Sequence, residues 1–211
     1  MKRVKFFVFT AILFAAVTLN AQSFGLEAGY GNSSTFLGEG DTLNTLNGFH
    51  IGPTAELQIQ GPLSLQYGFF YNFLTSSKTY ENSLVDTNIS TTFHSIDIPV
   101  RLAFTVPAGN NVGVFIFGGP SFNIGISKKS TGKVIRGLST FEIPTIDYYK
   151  TDDEGNSRQS RFDIQMGVGA GIKVNGVQLR VGYDWGLLDT NNSENYTLTR
   201  DEFKASIGFD L

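Results

Sequence analysis

The chain has 211 residues, with 24 glycines, 19 phenylalanines, 8 tyrosines, no cysteine and a formal net charge of −3. Without a thiol it can carry no disulfide framework, Cys-based metal site or iron–sulfur cluster, and a mildly acidic balance gives no footing for a nucleic-acid partner. The sequence holds no cofactor motif and no metal-ligand spacing, so neither a cofactor nor a metal is expected.

Met1 to Lys5 is basic, Phe6 to Leu19 is mostly apolar, and Leu19-Asn20-Ala21 resembles an A-x-A cleavage site. This reads as a signal peptide over 1–21 rather than an anchor helix, because the apolar run falls short of the ~20 residues that span a bilayer. Residues 22–211 are then one exported domain, held by its strands alone.

Period-2 alternation predicts eight strands, at 24–32, 48–59, 63–74, 94–106, 112–127, 161–174, 177–188 and 202–211. In "LSLQYGFFYNFL" Leu63, Leu65, Tyr67, Phe69, Tyr71 and Phe73 share one face against Ser64, Gln66, Gly68 and Asn72. The sixth and seventh strands flank Asn175-Gly176, a strong two-residue hairpin signal, since both residues tolerate positive φ. Short connections at 60–62, 107–111 and 175–176 alternate with long ones at about 33–47, 75–93, 128–160 and 189–201. An even-stranded antiparallel membrane barrel, with short turns at one rim and long loops at the other, has this layout.

Alternation alone leaves two barrels open, one greasy inside (a soluble, lipocalin-like carrier) and one greasy outside. Three features favour the second. The polar face is rich in Gly, Ser and Gln rather than Lys and Glu. Aromatic residues gather at the two ends of the apolar face, with Tyr30, Phe49, Tyr71, Phe73, Phe162, Tyr183, Trp185 and Phe203 toward the long loops. Phe24, Phe104 and Phe209 lie toward the short turns. The apolar runs last ~9–11 residues, the crossing length of a tilted strand. The expected fold is therefore an all-β, eight-stranded antiparallel up-and-down transmembrane barrel in the outer membrane, monomeric and surrounded by lipid.

With apolar groups outward, the charged residues turn inward. Glu27, Glu56, Asp97, Arg101, Asp163, Lys173, Arg180 and Asp184 are expected to form a bridged lumen network, joined by Arg161, Lys204 and Asp210, because an unpaired charge in a narrow core is costly. His94, Ser95 and Asp97 cannot form a local triad, since successive strand residues point to opposite faces. His50 lies in the inward set near the loop rim and is the candidate base of a lipid-modifying enzyme, the alternative function. In the longest loop, "STFEIPTIDYY" has strand-like composition and can extend a hairpin above the membrane. Its Phe141, Ile143, Ile146, Tyr148 and Tyr149 could then pair with a protein partner by strand addition.

The stretches "IDIPVRLAF" (96–104), "FIFGGPSFNIGIS" (115–127) and "DIQMGVGAGIKVNGVQLRVGYDWGLLD" (163–189) together resemble the PorT-like outer-membrane β-barrel family of Bacteroidetes. The resemblance spans essentially the whole mature chain. It implies insertion by the barrel-assembly machinery and carries over no catalytic residues, and the family's namesake is linked with protein secretion. The expectation is thus a non-enzymatic outer-membrane protein that anchors extracellular loops for an envelope or secretion-associated role.

Overall fold

A computed structural model describes residues 23–38, 41–82, 85–136, 139–152, 155–192 and 196–211. The signal peptide read at 1–21 lies outside the described residues. The strands are β1 (Ser23–Leu37), β2 (Asp41–Gln60), β3 (Leu63–Gly68), β4 (Phe70–Asn82), β5 (Val85–Gly109), β6 (Val112–Arg136), β7 (Ser139–Asp147), β8 (Phe162–Val174), β9 (Val177–Gly186) and β10 (Leu198–Asp210). β3 and β4 are one stave interrupted at Phe69, both lying between β2 and β5. Among the described residues β7 pairs only with β6, as an appendage. Eight staves remain, all antiparallel, and β1 pairs with β10 over thirteen positions from Gly25↔Asp210 to Leu37↔Leu198, which closes the sheet.

Followed once around, the register runs from Val177 through Phe209, Leu26 and Pro53 to Phe69. It continues through Ile98, Phe122 and Ile164 and returns at Leu187, so residue 177 meets residue 187 and the stagger is ten residues. Eight strands with a large stagger tilt by ~35–45° and enclose a bore that side chains alone can fill. The short turns lie at one rim. Asn175 (φ 50°) and Gly176 (φ 83°) both take the positive φ of a type I′ turn, and Asn111 (φ 63°) does so at the β5–β6 turn.

Accessibility is inside out. Leu102, Ile116, Val168, Leu179, Val181 and Phe209 are about half exposed on the outer face, while Asp97, Ser95, Gln165 and Glu202 are almost fully buried. A soluble carrier would show the reverse, so the greasy-interior alternative fails on this point. Phe49 and Phe73 stack at 5.5 Å and Tyr183 and Trp185 at 5.2 Å, at the upper end of the apolar belt.

Three prolines interrupt the ladder inside this belt. Pro53, Pro99 and Pro120 lack the amide hydrogen that a central strand position donates. Between β5 and β6 the ladder skips Val100 and Arg101, and the Arg101 guanidinium donates to the Gly119 carbonyl instead. A Cβ at Gly119 would collide with the Val100 carbonyl, so only glycine permits the approach.

The strands extend far beyond the predicted ones. β5 and β6 each run 25 residues, more than twice the ~9–11 that cross hydrocarbon. The connections predicted over 33–47 and 75–93 are mostly strand, because above the bilayer the outer face turns largely polar and the apolar residues that remain, such as Leu46 and Phe93, point inward, so the outward-apolar alternation that marks a lipid-facing strand disappears. Arginine in place of Leu102, at mid-belt, is expected to destabilise the barrel by about 2–4 kcal/mol. The same change at Phe209, near the turn rim, should cost far less, as measured by denaturant unfolding in lipid bilayers.

Candidate functional site: the barrel lumen

Because successive strand residues alternate, the register brings inward charges from distant segments to one height. Near the turn rim, Lys173 bridges Asp210 and lies 3.7 Å from Glu56. Ser64 donates to Glu56 at 2.5 Å and Gln178 to Asp210 at 2.7 Å. One level up, Arg180 donates to Glu27 at 3.0 Å and to Gln66 at 3.1 Å. Its guanidinium stacks 4.4 Å above the Phe117 ring. Arg101 pairs with Asp184, Lys204 pairs with Asp97, and Asn123 donates to Asp97. Toward the loop rim, Arg200 lies 3.3 Å from Asp163.

All eight network residues read from the sequence thus face the lumen. Glu27–Arg180, Asp184–Arg101 and Glu56–Lys173 pair among themselves, whereas Asp163 and Asp97 take Arg200 and Lys204. Arg200 escaped the sequence reading because it falls before the predicted last strand, in what read as loop. Phe115 and Phe117 also escaped it, since "VFIF" is apolar on both faces. Their rings fill the volume left by Gly169, Gly171 and Gly182 on the facing strands, which is why those positions bear no side chain. Arg161, expected inside, sits at the loop rim and donates to the carbonyls of Gly125, Ile126 and Tyr149.

The loop end of the bore is closed by apolar packing. Leu46, Leu74, Phe93 and Tyr149 form one buried cluster beneath the Arg161 guanidinium, 4.6 Å from the Tyr149 ring. Tyr149 is therefore a plug residue and not part of a partner-binding edge. Phe141 (60% exposed) and Ile143 (36%) stay accessible on β7. Tyr148 is partly buried, accepts from Ser130 at 3.2 Å, and carries the Lys128 ammonium 5.3 Å above its ring. Lys128, above the membrane-spanning part of β6, donates to Gln159 at 2.9 Å. Burial, with the nearby Arg200 charge, lowers its pKa to about 8.

A cavity of about 70 Å³ lies in the lower lumen, beside Glu27, His50, Arg101, Arg180 and Ser206, room for a few waters, and a space of about 310 Å³ opens at the turn rim beside Glu56, Gln66, Lys173 and Gln178. His50 Nε2 lies 2.8 Å from Ser206 Oγ, and Glu27 approaches the same nitrogen at 3.8 Å. A catalytic triad needs the acid on the other ring nitrogen, to fix the tautomer and orient the base. Nδ1 is buried with no hydrogen-bond partner in the protein, and Glu27 is engaged by Arg180. His94 faces outward, 2.6 Å from Tyr71 Oη, away from Ser95 and Asp97. Among the described residues no group of acidic or histidine side chains could hold a metal.

The profile of the outer membrane protein beta-barrel domain matches residues 20–192. The chain belongs to this family. The match stops short of β10, the strand that closes the cylinder. Solved structures similar to the chain include Ail, the attachment invasion locus protein of Yersinia pestis (11% identity, TM-score 0.38, covering 90% of this chain and 98% of that one). Neisserial surface protein A is another (14%, 0.44, 89% and 97%), as is the outer membrane protease OmpT of Escherichia coli (9%, 0.40, 90% and 97%). No curated protein sequence matches the chain.

Two outcomes are expected. Asp184→Ala strands the buried Arg101 and should cost about 3–5 kcal/mol, whereas the double change Arg101→Met with Asp184→Leu should recover only part of it, because the Gly119 carbonyl then loses its donor, as read from unfolding midpoints in lipid. Lys128 has a lower pKa folded than unfolded, so the unfolded chain binds more protons between pH 8 and 10.5 and stability should rise across that window. Lys128→Met should abolish the rise.

Proposed function

We propose that this outer-membrane barrel is a non-enzymatic scaffold, whose tall extracellular strands and β6–β7 hairpin serve an envelope or secretion-associated interaction. The observation that carries this reading is the charge-paired bore, plugged at the loop rim. Opposite charges paired at each level and an apolar plug at the loop rim interrupt any conduit along the axis, and the space left in the lumen opens at the turn rim rather than toward the loops. Activity then resides on what projects outward. The likeness of 96–104 and 163–189 to PorT-like barrels of Bacteroidetes supports the same reading, with the barrel-assembly machinery as the route of insertion and a monomer as the working unit.

The partner-facing element is the edge of β7, with Phe141 and Ile143, a strand whose side away from β6 is free of a ladder partner among the described residues. A partner strand would add there through backbone hydrogen bonds. Tyr148 and Tyr149 support the hairpin from below. The lipid-modifying alternative based on His50 is not favoured, because Ser206 and Glu27 both lie on the Nε2 side and Nδ1 has no carboxylate.

Photo-crosslinking in cells tests this. A photoreactive residue at Phe141 or Ile143 should give a discrete adduct that is lost when 139–147 is deleted, while the deleted protein still shows heat-modifiable migration. Equal adducts at Thr105, on the turn-rim side, or none at any hairpin site, would refute the hairpin as the contact. Single-channel recordings in planar bilayers should show no steady conductance.

A further inference from the structure

Above the aromatic girdle the outer faces of β1, β2, β4 and β5 change character abruptly. On β1 and β2 the next outward residues are Asn32, Ser34, Asn47 and Thr45. On β4 and β5 they are Thr75, Ser77 and Thr79, opposite Thr92, Ser90 and Asn88. All ten are hydroxyl or amide residues and none is charged. Charged side chains such as Asp41 and Asp86 come only at the tips. A strand surface meant for water ordinarily mixes Lys, Arg, Glu and Asp.

The groups are ordered by contacts across the strands. Tyr30 donates to Asn47 at 2.5 Å and Asn32 to the same oxygen at 2.7 Å. Ser34 and Thr45 hydroxyls lie 3.2 Å apart, and Thr79 donates to Asn88 at 2.6 Å. Directly below stand Tyr30, Phe49, Tyr71 and Phe73. Neutral donor–acceptor groups above aromatic faces are the chemistry that recognises uncharged sugar, through hydroxyl hydrogen bonds and C–H packing on rings.

We propose that this band is an interaction surface for the neutral oligosaccharide headgroup of an outer-leaflet glycolipid. The wall looks sideways along the membrane and continues the lipid-facing belt without a break, so its occupant must stand beside the barrel, anchored in the same leaflet. A phosphate-rich headgroup would call for cations within the wall, whereas the nearest outward lysines, Lys129 and Lys133, stand at its border on β6 beside Thr92 and Asn88, each 3.9 Å from a carboxylate of β7, Asp147 and Glu142. The inference rests on the long strands being extracellular.

The test uses the mature chain in nanodiscs of phosphatidylcholine containing small equal fractions of digalactosyl diacylglycerol and phosphatidylglycerol, with lipids retained on release counted by native mass spectrometry. Wild type should retain the galactolipid severalfold over its bulk fraction. Two separate variants, Ser34→Ala with Thr45→Val and Ser77→Ala with Ser90→Ala, should each lose much of that enrichment while keeping heat-modifiable migration. No galactolipid enrichment in wild type, undiminished enrichment in both variants, or selection of phosphatidylglycerol instead would overturn the proposal. The topology is checked apart from it. The chain has no cysteine, so Thr79→Cys should react with an impermeant maleimide on intact cells, and failure there would sink the extracellular reading whatever the lipid result.

Discussion

Hydrocarbon offers no hydrogen bonds, so every backbone amide and carbonyl at membrane depth must be paired within the protein. That demand accounts for the closure of β1 on β10, which leaves the eight staves without an edge. It also explains the behaviour of the β5–β6 ladder where it breaks. Pro120 cannot donate and Gly119 brings the strands too close for a side chain, yet the Gly119 carbonyl is met by the Arg101 guanidinium. A lumen charge thereby mends a wall defect, and the same arginine is held by Asp184. Wall and interior are one hydrogen-bonded system.

The bore of an eight-stranded barrel is too narrow to hold unpaired charge cheaply, and the chain answers with pairing at each level. Packing does the rest. Phe115 and Phe117 enter from β6 and occupy the space that glycines leave on β8 and β9, while Arg180 stacks on their rings. The plug of Leu46, Leu74, Phe93 and Tyr149 then separates the lumen from the loop rim. This closed bore is what directs the proposed function to the hairpin and the polar upper wall.

The sequence made the spanning part legible for a specific reason. One face of each strand meets lipid and the other meets the packed bore, so Leu102, Phe104 and Val106 alternate with Arg101, Ala103 and Thr105 in plain view. Asn175-Gly176 marked a turn because few other residues accept its backbone angles. Above the bilayer that contrast vanishes. Apart from Ile89, residues 75–79 and 88–92 are polar on both faces, and their strands carried no periodic signal. β7, with Pro144 in its middle, read only as strand-like composition. Site residues were visible where charge sat inside a recognised strand, as with Glu27, Asp97 and Arg180. Arg200 lay in apparent loop, and Tyr149 sat beside Tyr148 with nothing local to say that one packs downward into the plug.

The central claim is that lipid contacts the apolar side chains while the charges line the axis. Spin labels placed singly along 177–186 in bilayers would test it most directly, by comparing relaxation by dissolved oxygen with relaxation by a water-soluble nickel chelate. The account predicts oxygen access at 177, 179, 181 and 185, with protection from both agents at 178, 180 and 184. Chelate access at Leu179 and Val181 together with oxygen access at Arg180 would contradict it.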